Sequence, residues 1–439
     1  MSRVWSLAVP VVTVLVVAYA LFVGGAPRKT LGERVYGGPT EGASALSLRI
    51  ESVARDGERE SPAWDGPITV SGMANGVDFG ATSTPLGSAG VTDVTLRFEK
   101  PVVGPVQLYS RAPNGERAQG EVSLSVERWA ARARRRGGWI RGRDTNGNGL
   151  VISIAPERGA FVVGASDPLL VRVERAGNPL PNAQLSLKAD GARLESSAEL
   201  RTDARGRARV SFEASDLNPT LRVEARTDDG QSALLDSGVP VVPGGLHGLA
   251  TPTGIRVESA TPRSQAFFSV VTDRARIAGG VLVLTPDGRG GSFAQADLHS
   301  SAALPSPSWL VVSTELDENS VAAIGWPLQL GAEPAQTFDV PDVLLLDGIP
   351  AAFKAEQARR SRVRWLTAAF IALGFLLSVA LLVLRVRAAD RDIARHLRTN
   401  LEDETVARVA PRTRWPLVVA LLAIALGFVV FVGIVFAAR

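Results

Sequence analysis

The run Gly177-Asn178-Pro179-Leu180-Pro181-Asn182-Ala183, followed by Leu185 and Leu187 and then by Thr202-Asp203-Ala204-Arg205-Gly206-Arg207-Ala208 with Val210 and Phe212, decides the fold of this chain. Proline fixes φ and glycine admits the left-handed backbone, so each Gly/Pro/Asn/Asp cluster marks a turn. Apolar residues two apart line one face of a strand. The same alternation appears at Leu169, Val171 and Val173 and at Leu221, Val223 and Ala225, with turn signals at Ala189-Asp190-Gly191 and Asp228-Asp229-Gly230. About seven short strands in roughly 95 residues, with a turn about every 8 to 12, predict an antiparallel sandwich.

The two motifs, a G-x-P-L-P-x-A bend and a T-D-x-x-G-x-A hairpin turn, resemble those of bacterial Ig-like modules and of the macroglobulin-type domains of the alpha-2-macroglobulin superfamily, over about residues 151–243. The resemblance implies a β-sandwich and little about a ligand, because such modules serve as spacers, adhesins, trap subunits and receptor ectodomains alike. With no cysteine there is no thioester, and the chain is too short for the full ring of macroglobulin domains. A protease trap is therefore not expected.

Working outward, Gly206 to Gly230 has an upstream echo in Gly90 to Gly115, where Val94, Leu96, Val106 and Leu108 take the strand positions. A third echo begins at Asp287-Gly288 and reaches Trp309 to Thr314. The reading is mainly β: tandem Ig-like antiparallel sandwich modules over 45–143, 144–243 and 244–350, plus three transmembrane α-helices. Residues 24–44 read as a linker, and the Pro- and Gly-rich stretch from Gly238 to Gly254 as a joint.

The helices are expected at 4–23, 365–385 and 415–437. Each apolar run is about 20 residues, enough for a hydrocarbon core of about 30 Å. The first is a transmembrane helix or signal anchor. The other two open at Trp365 and Trp415, residues suited to the membrane interface. The two C-terminal apolar runs, Trp365 to Leu384 and Trp415 to Phe436, contain no Asp, Glu, Lys, Arg or His, so a transporter is not expected. Residues 351–364 form a basic juxtamembrane segment, and 386–414 a charged, partly helical loop with Arg387, Asp390, Arg391, Asp392 and Arg395. Flanking Arg and Lys balance between the two sides and leave topology open by charge. An apolar N-terminal segment ahead of a β-rich region places residues of about 25–360 on the extracytoplasmic side of a cell membrane.

Composition narrows the chemistry. The 439 residues contain no cysteine and three histidines (His247, His299, His396), far apart in sequence, which argues against disulfides, thiolate metal sites and histidine triads. Lysine occurs only at 29, 100, 188 and 354, so arginine dominates the 48 basic residues, and the net charge is only +4. No nucleic-acid partner is expected on that balance.

Arg128, Arg132, Arg134, Arg135, Arg136, Arg141 and Arg143 crowd together with Trp129 and Trp139 between them, a candidate anion-binding cluster because guanidinium forks suit phosphate and stack on indole. Its plainer reading is a solvated interdomain segment. Asp144-Thr145-Asn146-Gly147-Asn148-Gly149 matches the first half of a calcium loop, but Ala155 stands where the bidentate Glu belongs, and an Asn-Gly turn explains the same residues. The acidic run Thr314 to Asn319 lacks a surrounding catalytic motif and reads as a polar loop. No catalytic, metal or cofactor site is assigned, and the chain is not expected to be an enzyme. The functional expectation is a membrane-anchored envelope protein displaying Ig-like modules for protein or glycan binding or for structural spacing, with the lipid bilayer and an envelope or membrane protein as partners and homo- or hetero-oligomers open. The alternative is an ectodomain-bearing subunit of a signalling or assembly complex acting through the paired C-terminal spans.

Overall fold

The computed structural model describes residues 3–20, 26, 28–40, 44–63, 66–74, 76–83, 90–102, 104–113, 115–124, 126–132, 134–144, 147–195, 200–242, 245–297, 304–316, 323–339, 344–400 and 414–437. The chain forms two compact units. One comprises Met1–Thr30, Arg55–Arg59 and Pro350–Arg439, the other Leu31–Ala54 and Glu60–Ile349.

The larger unit is built from pairs of antiparallel sheets closing on apolar cores. In the sandwich that carries the two motifs, one sheet runs Ile140–Arg141, Leu150–Pro156, Ser166–Arg175, Arg207–Ala214, Ala192–Glu195, and the facing sheet runs Leu200–Arg201, Gln184–Asp190, Thr220–Arg226, Ser232–Gly238. Register puts Leu169 opposite Val210 and Val171 opposite Ala208, and in the facing sheet Leu185 opposite Ala225 and Leu187 opposite Val223. Leu169, Val171, Leu185, Leu221 and Val223 thereby converge on Phe161 and Phe212, whose rings lie 4.4 Å apart.

The quoted motifs hold each other. Thr202 Oγ1 donates to Leu180 O at 2.7 Å and accepts from Ala183 N at 2.9 Å, tying the bend to the hairpin turn. Asp203 Oδ1 accepts from the amides of Arg205 and Arg207, both at 2.8 Å. Gly206 sits at φ +69°, where a Cβ would come within 2.6 Å of Val173 O, so that turn requires glycine.

A second pair of sheets encloses Val35, Leu46, Leu48, Ile50, Ile68, Val70, Val94, Leu96, Val106 and Leu108. One of its sheets contains Thr30–Pro39, Ala45–Asp56, Val91–Arg97 and Leu344–Asp347; the other contains Val77–Ser83, Ile68–Ala74, Gly104–Ala112 and Gly115–Leu124. A third pair sets Gly254–Ser259 and Ser292–Asp297 against Gln265–Val271, Trp309–Ser313 and Ile324–Pro327, around Val257, Phe268, Val270, Leu310, Val312 and Trp326. Strands are not parcelled strictly by sequence position. Thr30–Pro39, which lies wholly within the stretch that reads as a linker, is a strand and pairs with Leu344–Asp347, from the far end of the β-rich region. Arg134–Arg136 pairs with Thr337–Asp339 and becomes the edge of the third sandwich's sheet. Sequence patterning marks where strands lie, but a ladder can recruit any extended segment whose amides need partners.

The smaller unit contains helices Arg3–Tyr19, Ile349–Asn400 and Arg414–Ala437. Val17 and Ile371 are buried together against Phe428 and Val432. The rings of Phe375 and Phe428 lie 5.1 Å apart, and Gly374 takes Thr13 against its backbone. Near its start the long helix carries Glu356, which receives Arg359, Arg360 and the amide of Arg28.

The expectation of three membrane-crossing helices is corrected in number. Among the described residues one helix, Ile349–Arg395, is long and apolar enough to cross a membrane. The N-terminal helix has 17 described residues, about 26 Å of rise and short of a full hydrocarbon core, and the apolar part of the last helix is Val418–Ile434. The basic segment, the second apolar run and the start of the charged loop form one continuous helix, since nothing between Pro350 and Asn400 breaks helical hydrogen bonding. Residues 401–413 of that loop lie outside the described residues.

Candidate functional site

An open groove grows from the segment that follows the arginine-rich strand. Trp139 lies in the short connection between Arg134–Arg136 and Ile140–Arg141. Its ring is held from two directions. The Arg172 guanidinium stacks 4.7 Å from the ring centre, and Nε1 donates to Glu333 Oε2 at 2.9 Å. That hydrogen bond, with Arg207 and Arg172 beside it, holds the Glu333 carboxyl below the usual carboxylate range. Arg207 bonds both Glu333 and the Ala332 carbonyl, fixing the loop that leads into Thr337–Asp339.

Opposite Trp139 stands Trp309, only 3% exposed, stacked on Phe338 at 4.7 Å and covered by the Arg135 guanidinium at 4.9 Å. Its Nε1 donates to Gln336 O at 2.8 Å. Between the two tryptophans runs an open groove of about 540 Å³ whose lining includes Ser308, Gln329, Glu333 and Pro334. Ser308 is buried, and its hydroxyl has no hydrogen-bond partner among the described residues. Its amide donates to Gln329 Oε1 at 3.4 Å. The groove offers an indole surface, amides and one orphan hydroxyl. Among the described residues that line it, no nucleophile is paired with a base.

The structure separates the candidate arginines. Arg128 and Arg132 belong to helix Val126–Arg132, but their side chains lie outside the described residues. Arg135 meets Asp273 at 3.3 Å, Arg136 meets Asp339 at 2.5 Å and Arg141 meets Glu174 at 3.7 Å. Arg134 and Arg143 are exposed. The described arginines thus alternate along an edge strand and its continuation, several already facing a carboxylate. Trp129 is core: 5% exposed, its Nε1 donating to Thr272 O, it packs with Tyr36, Val271 and Trp309.

The half calcium loop is a turn. Asp144 Oδ2 accepts from Gly149 N at 2.7 Å and Asn148 Oδ1 from Leu150 N at 3.0 Å, so backbone amides take the oxygens a cation would need; Thr145 and Asn146 lie outside the described residues. No group of three or more metal-ligating side chains occurs among the described residues. In the acidic run, Glu315 N donates to Ser313 Oγ, and residues 317–319 lie outside the described residues.

Two buried polar clusters had no sequence signal. His247 Nε2 lies 2.7 Å from Asp167 Oδ2, and Arg158 donates to Gly248 O and stacks on Trp326. Arg49 and Arg276 share Asp93. Of the groove itself, Trp139 and Arg135 stood out in sequence through their arginine-rich setting and Trp309 through the third strand echo; Ser308, Gln329 and Glu333 lie in loops without periodicity.

No protein-family model matches the chain, and no curated protein matches it. Among solved structures, it is similar to the D0-D1 domain of intimin at 13% identity and TM-score 0.15, covering 47% of this chain and 99% of that one. It is also similar to the Yersinia pseudotuberculosis adhesin InvE at 10% identity and TM-score 0.18, covering 58% and 76%. A bacterial ice-binding adhesin matches at 11% identity and TM-score 0.17, covering 73% and 100%. Likenesses this slight carry no argument about function. What stands, on the sheets and cores themselves, is that the chain is mainly β, folded as antiparallel sandwiches.

Proposed function

We propose that the chain is a membrane-anchored envelope protein whose Ig-like sandwiches, macroglobulin-type in their turn motifs, are held on the extracytoplasmic side and act by binding a protein or glycan, or by spacing, rather than by catalysis. One observation carries the reading. The same chain combines a β-sandwich unit with a helix whose apolar stretch leaves Leu366, Phe370, Leu373, Leu376, Leu377 and Leu384 exposed, a surface suited to lipid rather than to water.

The test is membrane extraction and protease protection of the full chain. It should resist alkaline carbonate, dissolve in detergent, and expose residues 31–349 to protease in spheroplasts but not in sealed inverted vesicles. Recovery in the soluble fraction, or the reverse protection pattern, refutes the reading.

A second reading, a subunit of a signalling or assembly complex, is favoured by the unbroken helix Ile349–Asn400, which continues the apolar stretch into the charged segment without a hinge. It expects a crosslinkable partner at 386–400. Replacing that segment with a neutral helix and finding the same partners would dismiss it.

A further inference from the structure

The groove between Trp139 and Trp309 is built more carefully than a surface dent requires. With one face of the Trp139 ring under Arg172 and its Nε1 committed to Glu333, the ring presents its remaining carbon surface to the groove in a fixed orientation. Around that surface stand the exposed Gln329 amide, the Glu333 carboxylate and, in the floor, the Ser308 hydroxyl, which no described residue satisfies. A buried polar atom without a partner costs free energy, and its place in the wall of an open groove points to a ligand that completes it.

The ligand's chemistry follows from what the groove lacks. It offers no net charge: the cationic rim residue Arg135 already faces Asp273, and the anionic one, Glu333, already faces Arg207. That disfavours phosphate or a strongly charged peptide. It offers no free strand edge at its floor, where Leu328 N donates to Ser308 O at 3.0 Å, Trp309 pairs with Pro327, and Ala335 N donates to Glu157 O at 2.9 Å. An extended peptide therefore cannot add as a strand there. The mixed lining does not suit an acyl chain. What remains is a neutral molecule with a flat apolar face bordered by hydroxyls that both donate and accept. A pyranose ring has that form: its C–H face packs on indole, while its equatorial hydroxyls meet amide, carboxylate and serine.

We propose that this groove binds a neutral saccharide chain, with the Trp139 indole as the stacking platform and Gln329, Glu333 and Ser308 as hydrogen-bonding partners. Its volume lies within the range of small-ligand sites. The inference deepens the binding function proposed above and rests on that reading.

The test uses purified full-length chain in detergent, titrated calorimetrically with cellotetraose, chitotetraose and maltotetraose up to millimolar concentration, and with decaproline as the competing occupant. The expected result is saturable binding of at least one tetrasaccharide, weakened about tenfold by Trp139→Ala and about three- to tenfold by Gln329→Ala. Because Trp139 also braces Arg172 and Glu333, Trp139→Ala could fail to fold. Trp139→Phe, which keeps an aromatic face, and Gln329→Ala, at an exposed position, then decide the matter. Binding to none of the three saccharides overturns the proposal, as does binding that survives both Gln329→Ala and the Trp139 variants. Trp139-dependent binding of decaproline alone overturns it in favour of a peptide. The titration is indifferent to membrane topology, so its failure is separable from failure of the extraction and protection test.

Discussion

Inside the sandwich formed by residues 140–242, Phe161, Phe212, Leu169, Val171, Leu221 and Val223 bury one another with carbon alone. Where Ala45–Asp56 and Val91–Arg97 meet Gln265–Val271 and Arg276–Val283, two buried guanidiniums instead share a half-buried carboxylate. Arg49 Nη2 donates to Phe268 O at 2.5 Å and to Gly280 O at 3.0 Å, with its Nε 3.4 Å from Asp93 Oδ1. Arg276 reaches Asp93 at 3.0 Å, Ser47 Oγ at 2.7 Å and Ser269 Oγ at 3.0 Å. Gly279 makes the space, since a Cβ there would collide with Arg276 Nη2. The apolar core gains from every carbon removed from water, whereas the polar junction must recover a desolvation cost by satisfying each N–H. The first arrangement supplies stability. The second, by this comparison, supplies selection: only sheets presenting these acceptors can close on these arginines.

The largest expected effect falls on the apolar side. Phe212→Ala removes a fully buried ring and leaves a cavity against Phe161, and should cost about 3–5 kcal/mol in denaturant unfolding. A loss below about 1 kcal/mol would mean that this core relaxes freely and is not the close-packed body described.

On the polar side, Asp93→Ala leaves two arginines without their shared carboxylate. The expected cost is about 3 kcal/mol, at the lower end for a broken buried pair because Asp93 is 22% exposed and water can partly replace it. The sharper experiment replaces all three at once. Arg49→Met, Arg276→Met and Asp93→Leu together should return stability to within about 1 kcal/mol of the parent. If the triple variant is as damaged as Asp93→Ala, the junction contributes strength and the contrast drawn above fails.

The same contrast explains what could be read from sequence. The alternation of Leu169, Val171 and Val173, and the Thr202 to Ala208 turn, announce strands and a hairpin because their partners lie nearby and the cause is local: period two, fixed φ, a glycine that must be glycine. Arg49 offers no such clue. It sits between Leu48 and Ile50 in a strand where period two would send it outward, and so it reads as solvent-facing. Its acceptors, Phe268 O and Gly280 O, come from a distant part of the chain, and no pattern within its own strand records them. The groove was half legible for the same reason. Trp139 and Arg135 stood out as aromatic and basic residues in a cluster, whereas Ser308, Gln329 and Glu333 are brought beside them only by the pairing of Arg134–Arg136 with Thr337–Asp339. The histidines show the limit most plainly. Three histidines far apart in sequence argue against a metal site or triad, yet distance along the chain says nothing about a single histidine finding a carboxylate.

That histidine gives the smallest effect and the most specific one. His247, 3% exposed, has its Nε2 2.7 Å from Asp167 Oδ2 and its Nδ1 3.8 Å from Glu258 Oε2, with the edge of Trp326 against the ring and Arg158 nearby. Burial by itself would push the imidazolium toward losing its proton, and Arg158 acts the same way. The two carboxylates outweigh both, so the folded pKa lies above the ordinary 6.5. The native state therefore holds this proton more tightly than the unfolded chain does. The resulting stabilisation is complete below the unfolded pKa of 6.5 and is lost as pH climbs through the folded value. In thermal unfolding of the full chain, Tm should fall as pH rises above 6.5 through the folded pKa, and His247→Gln should flatten that slope while leaving the response below it unchanged. Asp167→Asn should flatten it as well, because a neutral amide no longer favours the imidazolium. A Tm that rises over this window, or a slope untouched by either substitution, would show that the imidazole is buried neutral, making the His247 contact one more uncharged packing element like the core of the 140–242 sandwich.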